Sequence, residues 1–274
     1  MATELRHRRI VLHLRYGSAE QATIRAAAEL ARMLGLALHG VFLQEAALTE
    51  LTALPFVREF RLATGAWQAL EPQRIAEEQR QAVEQARRLF DEAAAALGIS
   101  FLFDTDGDKL SAASRQGDII VVAQPRLPAE QLAHATAGWL ETAHNCGASV
   151  MLVPQTLARR EGPIAAVVCA EGDPALAVAA QLAVAAGENL LLLVYGADAL
   201  AAEVLAKARA AGLPSSKVSV RRLVAVAPAQ VVQELSGGRE RLVVLARGAC
   251  GADDAAVSSH IATARGVPVL VVEA

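Results

Sequence analysis

The chain has 274 residues and a mass of 28.7 kDa, which is enough for two domains of ordinary size. Hydrophobic residues make up 54% of it, charged residues 20% and aromatic residues only 4%, so the chain can bury a large aliphatic core and disorder is excluded. The net charge of −3 lacks the basic excess of nucleic-acid binding proteins, so we expect no nucleic-acid partner.

The first half of the chain alternates apolar runs with Ala-rich amphipathic stretches. The runs predict strands at 10–14, 36–43, 99–103, 119–123 and 150–153, and the stretches predict helices at 19–34, 72–97, 109–115 and 129–144. Gly35 and Gly98 follow the first two helices, where glycine is the usual C-terminal signal.

The second half repeats the same order of elements. It predicts strands at 164–169, 190–195, 218–223, 242–246 and 269–272, with helices at 175–186, 199–211, 228–235 and 252–264. Asp173 and Pro174 form a helix start, and Gly187 ends that helix. Strands that alternate with helices pair in parallel, so we predict two tandem doubly wound α/β domains at 1–154 and 163–274, joined by a linker at 155–162.

The segment at 44–70 is the largest departure from this repeat. It carries the aromatic residues Phe56, Phe60 and Trp67, and the second half has no counterpart. A pure linker is not this apolar. Two interpretations stay open: an extra helix over its own domain, or a lid or partner-binding surface on an amphipathic docking helix.

The cysteines and the first residues indicate a reducing compartment. Cys146, Cys169 and Cys250 are odd in number and widely spaced, which argues against a disulfide framework or a zinc site. Residues 1–9 are polar and charged, and no apolar stretch is long enough to cross a bilayer. We therefore expect a cytoplasmic protein without membrane attachment.

The end of each half carries a resemblance to a known family. Residues 117–122 (GDIIVV), 148–154 (ASVMLVP) and 266–272 (GVPVLVV) are similar to the fourth and last strands of universal stress protein (UspA-like) domains. The chain resembles the tandem class with two such domains. This resemblance implies a Rossmann-like, adenine nucleotide alpha hydrolase-like fold, in which each domain is a five-stranded parallel sheet with helices on both faces. It also implies that the two halves pair through their last strands.

One branch of that family binds ATP through glycines after the fourth strand, and the first half lacks them. The family pattern is Gly, two residues, Gly, nine residues, then Gly and a small hydroxyl residue. Its glycine positions fall on Ala123, Arg126 and Thr136, while Pro125 and Pro128 remove two N–H donors from the loop. We expect no conventional ATP site in this half.

The second half keeps a shortened glycine loop, which leaves two interpretations. The resemblance implies a reduced nucleotide or anion site with the candidate residues Arg247, Gly248, Gly251, Ser258, Ser259, Glu171 and Asp173. The other interpretation is a short turn into a helix capped by Asp. Asp253 and Asp254 favour the second, because they lie where phosphates would sit and repel anions.

No nucleophile–base pair, metal-ligand cluster or standard nucleotide loop is present in the sequence, so we expect that the chain is not an enzyme. The resemblance implies a non-catalytic stress-response protein that regulates or binds a protein partner, or associates with itself, without cofactor or metal. The alternative is a nucleotide-binding regulator or weak ATPase that holds ATP or another adenine nucleotide at the degenerate second-half loop. The candidate partner-binding residues are Phe56, Phe60 and Trp67.

Overall fold

The structure is a computed structural model that describes residues 7–15, 21–43, 54, 56–61, 65–105, 115–124, 145, 147–251 and 253–273. Within these ranges the chain forms a ten-stranded sheet, a two-stranded sheet and six α-helices. The strands are β1 (Arg9–Arg15), β2 (Ala37–Leu43), β3 (Arg58–Arg61), β4 (Ala66–Ala69), β5 (Phe101–Asp104), β6 (Asp118–Ala123), β7 (Ser149–Val153), β8 (Ile164–Val168), β9 (Leu190–Val194), β10 (Val218–Arg222), β11 (Leu242–Ala246) and β12 (Val269–Val272). The helices are α1 (Gln21–Leu34), α2 (Pro72–Leu97), α3 (Pro174–Ala186), α4 (Asp198–Ala210), α5 (Pro228–Glu234) and α6 (Asp254–Arg265).

The two halves of the large sheet have the same strand order. The first half runs β5-β2-β1-β6-β7 and the second half runs β10-β9-β8-β11-β12. Every neighbouring pair within each half is parallel. The predicted fold of two Rossmann-like α/β units is confirmed, and the strands of the large sheet and the six described helices lie within two residues of their predicted ends.

Continuous apolar runs form the inner strands because both faces of the sheet are covered. The strands β7, β8 and β9 are buried along their whole length. Buried side chains of α1 to α4 share one apolar cluster with one set of strand residues, and those of α5 and α6 share the other. The helices of the second half therefore lie on both faces of the sheet, as predicted, whereas the two described helices of the first half share one face.

The halves join through their last strands into one sheet. The strand β12 pairs with β7 in antiparallel register, with Leu270 opposite Met151. Residues of the predicted linker pack against this junction, where the Ala158 N–H donates to the Gly266 carbonyl at 2.7 Å. This is the pairing that the family resemblance implies. The predicted limits of the two domains and the linker stay a prediction.

The segment at 44–70 differs from the predicted helix. Its residues Arg58–Arg61 and Ala66–Ala69 form an antiparallel hairpin, so the extra helix and the amphipathic docking helix are both wrong for the described part. Exposure alternates with period two over 58–60 and 66–69, which suits a strand, and Gly65 takes a left-handed φ of 63° before β4. The rest of the segment, at 44–53, 55 and 62–64, lies outside the described residues.

Two predicted helices fall on chain that the structure does not describe. These are the helix at 129–144 and all but the last residue of the helix at 109–115. None of the described helices is both long enough and apolar enough to cross a membrane.

Candidate functional site

The candidate site of the second half lies where β8 and β11 end side by side. The two strands are parallel neighbours, with Val244 opposite Ala166. The strand order reverses between them: from β8 the chain continues to β9 and β10 on one side, and then returns to form β11 and β12 on the other side. In open α/β sheets this edge, at the carboxyl ends of the strands, is where ligands bind.

On the β8 side of this edge, Asp173 already accepts the hydrogen bonds of two backbone N–H groups. Its carboxylate accepts from the Cys169 N–H at 2.9 Å and from the Ala175 N–H at 3.0 Å, and it caps α3. Burial raises the pKa of Asp173, while the two backbone donors act in the opposite direction. The start of α3, which attracts anions, thus already holds a carboxylate of the chain itself.

On the β11 side, Asp254 likewise accepts a backbone N–H hydrogen bond. Both of its carboxylate oxygens accept from the Gly248 N–H, at 2.9 and 3.1 Å, and only 9% of the residue is exposed. Gly248 and Gly251 take φ values of 71° and 119°, and the Gly251 N–H closes a turn onto the Gly248 carbonyl. Nothing lies within 4 Å of a Cβ built at either position. Glycine is therefore required here by the positive φ and not by the close approach of a neighbouring group.

The hydroxyl groups of the two predicted serines are already engaged in hydrogen bonds within the chain. The Ser258 hydroxyl is buried and donates to the Asp254 carbonyl of its own helix at 2.6 Å. Ser259 accepts from Gln124 of the first half at 3.2 Å, and the same amide donates to Thr263 at 2.6 Å. Ser259 therefore belongs to the junction between the halves.

The two remaining predicted residues are engaged in ion pairs at the rim. The Arg247 guanidinium donates to Glu273 at 2.5 Å. Glu171 pairs with Lys207 at 3.3 Å. The pKa of Glu171 is lowered, mainly by a hydrogen bond with Glu203 and secondly by a hydrogen bond with Lys207. The structure thus brings Asp173 and Gly248 to the edge, together with Asp254, which was not among the predicted site residues.

Two half-buried cysteines, Cys169 and Cys250, lie near these carboxylates. The pKa of Cys169 is raised to about 11, mainly by burial and secondly by the negative charge of Asp173. The pKa of Cys250 is raised to about 12, mainly by burial and secondly by the nearby Cys169. Both thiols are neutral at physiological pH, and a neutral thiol is neither a nucleophile nor a ready metal ligand. Among the described residues, no group of three or more His, Cys, Asp or Glu is placed to hold a metal ion.

The predicted partner-binding residues lie on the hairpin and its approach. Phe56 is 76% exposed, Phe60 46% and Trp67 65%. Phe60 and Trp67 stand opposite each other on β3 and β4, with ring centroids 5.4 Å apart. Glu59, between the aromatic residues, pairs with Arg74 at 2.5 Å and ties the hairpin to the start of α2.

Comparison with known proteins rests on structure. The sequence matches no protein-family model and no curated protein. A universal stress protein from Archaeoglobus fulgidus DSM 4304 superposes with a TM-score of 0.62 over 98% of both chains, at 12% sequence identity. The chain has the universal stress protein fold.

Two further solved structures share this universal stress protein fold. A protein from Pseudomonas aeruginosa UCBPP-PA14, assigned to the same class, has a TM-score of 0.54 at 14% identity, over 98% of this chain and 94% of that one. The cytoplasmic domain of a prokaryotic cation chloride cotransporter has a TM-score of 0.55 at 11% identity, over 96% and 94% of the two chains.

The glycine positions of the universal stress protein fold differ between the halves. In the first half, Ala123 ends β6 and is half-buried, whereas Arg126, Thr136, Pro125 and Pro128 lie outside the described residues. In the second half the loop is present, but a carboxylate occupies its Gly248 N–H. Sequence reasoning missed Asp254 as that acceptor. The available signal was its place six residues after Gly248, at the start of α6.

Proposed function

We propose that this chain is a non-catalytic, tandem universal-stress-type protein that acts in the cytoplasm by binding a protein partner during stress. The observation that carries the proposal is the hydrogen bond from the Gly248 N–H to the Asp254 carboxylate, at 2.9 and 3.1 Å. The donor that a nucleotide phosphate would need is occupied by an internal acceptor of the same charge.

Displacement of this acceptor by a phosphate is unfavourable. Asp254 is almost fully buried, so an incoming phosphate would have to expel it or lie beside it. Two like charges in a partly buried site repel each other strongly, because the local dielectric constant is low. Asp173 adds a second carboxylate at the neighbouring strand end. These contacts support the proposal that the second half does not bind a nucleotide.

The exposed aromatic residues of the hairpin support the partner-binding part of the proposal. Phe60 and Trp67 pack against each other in exposed positions and Phe56 is exposed four residues before Phe60, and exposed aromatic surface of this kind is typical of interaction sites. The cytoplasmic domain of a prokaryotic cation chloride cotransporter shares the fold, so this fold also occurs as one domain of a larger protein. We therefore propose a protein partner with an apolar surface for the hairpin.

The first test is calorimetric titration of the nucleotide-stripped protein with ATP–Mg²⁺, together with mass spectrometry of anything that co-purifies. We expect no heat of binding and no co-purified nucleotide. Micromolar binding that is lost in Gly248→Val, with the thermal midpoint of that variant retained, would overturn the proposal. That outcome would support the alternative of a nucleotide-binding regulator or weak ATPase.

A further inference from the structure

A cavity of about 260 Å³ lies between the two halves, away from the edge formed by β8 and β11. One wall is a stripe of α1, from Ala22 to Met33, and another is the stretch after β7, from Gln155 to Arg160. The second half contributes Arg241 and Leu242 at the start of β11, with Pro268 just before β12. The cavity therefore exists only where the halves are joined.

Four arginines line this cavity against one carboxylate. Arg25 comes from α1, Arg159 and Arg160 come from the linker, and Arg241 comes from the second half. The one acidic lining residue is Glu29. A cavity wall with this excess of positive charge contrasts with the net charge of −3 of the whole chain. Such a concentration of guanidinium groups in a cleft attracts anions.

One of the four arginines is held in place by a carboxylate. Arg241 donates to Glu29 at 2.7 Å across the junction, with 11% of its side chain exposed. Arg159 Nη1 lies 3.9 Å from the buried Glu240, which is too far for a hydrogen bond, and Glu240 instead accepts from Arg265 at 2.6 Å. Arg25 and Arg160, in contrast, make no ion pair with any carboxylate in the described part of the chain. Their donors are available to a ligand.

The remaining wall is apolar. Leu30 and Met33 of α1, Met151 of β7 and Leu157 of the linker line the cavity beside the arginines. Guanidinium groups bind phosphate through paired hydrogen bonds, and an apolar wall accepts an aliphatic or aromatic body. The combination fits a small molecule that carries a phosphate group on an apolar body.

We propose that this interdomain cavity binds a small phosphate monoester, with Arg25 and Arg160 on the phosphate. The ligand contacts both halves, so its binding stabilises their pairing. This site is separate from the Gly248 loop and does not rest on the proposed function.

The test is calorimetric titration of the whole protein with phenyl phosphate and, in parallel, with inorganic phosphate. We expect phenyl phosphate to bind more tightly than inorganic phosphate because of the apolar wall. Arg25→Gln and Arg160→Gln should each weaken binding about tenfold or more, since each removes a charged donor pair. Arg209→Gln, which removes an exposed arginine from helix α4 away from the cavity, is the matched control and should change nothing.

Absence of heat with millimolar phenyl phosphate, or binding unaffected by both cavity variants, would overturn the cavity proposal. The ATP titration separates this proposal from the previous one. ATP binding that is lost in Arg25→Gln but kept in Gly248→Val would support the cavity and leave the proposed function intact. ATP binding lost in Gly248→Val alone, with phenyl phosphate binding unchanged, would overturn the proposed function and not the cavity.

Discussion

Asp254 shows how one side chain changes the chemistry of a loop. Gly248 keeps the left-handed backbone that lets a phosphate-binding loop present its N–H groups, yet the N–H faces a carboxylate of the next helix. The sequence indicated that Asp253 and Asp254 repel anions at this place. The structure separates their roles, because Asp253 caps α6 through the Ala256 N–H while Asp254 turns inward to Gly248. Adjacent identical residues do not reveal from sequence which one is buried.

The two thiols at the same edge lead to a prediction about reactivity. Iodoacetamide should modify Cys169 in the folded protein about a hundredfold more slowly than in the unfolded chain at the same pH. The physical reason is that its pKa is raised from 9.0 to about 11, and each unit removes roughly nine-tenths of the reactive thiolate. Timed alkylation with peptide mass spectrometry measures the rate at each cysteine.

The same peptide map provides the comparison for this thiol prediction. Cys250, with a pKa of about 12, should react more slowly still than Cys169. Fast alkylation of either residue in the folded state would show that the edge is open and polar. It would contradict the half-buried, neutral pair of thiols.

Among the elements, the strands of the large sheet were predictable and the hairpin was not. Runs such as Leu190–Val194 are apolar throughout and end at turn residues, so their type and limits follow from composition alone. The strands of the hairpin have four residues each, and in so short a stretch a period of two is hard to distinguish from a helical stripe. Arg58–Arg61 carries no alternation of residue type, so the glycine at 65, just before β4, was the available signal of a turn between two strands.

The exposure of the hairpin predicts the effect of charge on its apolar face. Phe56→Asp combined with Phe60→Asp should lower the thermal midpoint by no more than about 4 °C. Phe56 is largely in water and Phe60 is about half-exposed, and the lost Phe60–Trp67 pair is worth about 1 kcal/mol. A thermal melt followed by circular dichroism measures this.

Phe90→Ala is the contrasting variant for that melt. Phe90 is fully buried between α2 and the sheet, with the Phe103 ring centroid 5.7 Å away, so its truncation should cost about 3–5 kcal/mol. If the double aspartate variant instead melts as early as Phe90→Ala, the hairpin is part of the core and not a surface for a partner.

At the scale of the whole molecule, the arginine cavity illustrates what sequence cannot supply. The pairing of the halves was inferred from the family resemblance, and the fold places the two last strands together. The cavity depends on which side chains meet across that junction. Glu29 and Arg241 are 212 residues apart in the chain, and no local pattern connects them.

The junction also predicts how the chain unfolds. Buried residues of α1 and α3, one from each half, belong to the same apolar cluster, and β7 and β12 share main-chain hydrogen bonds. Opening either half would therefore expose apolar surface of the other, which makes separate unfolding costly. We expect one cooperative transition, in which amides of β1 and of β8 open with the same free energy in rising urea.

Native-state hydrogen exchange followed by mass spectrometry tests this expectation, because peptides from β1 and β8 report on the two halves separately. The outer strands β5 and β10 should exchange at lower urea, since each lies at an edge and is largely exposed. If β8 stays protected at a urea concentration at which β1 has exchanged, the halves are independent units joined by a tether. The interdomain cavity would then open with the first half, and a bound phosphate monoester should bring the two transitions together, because it binds only the joined state.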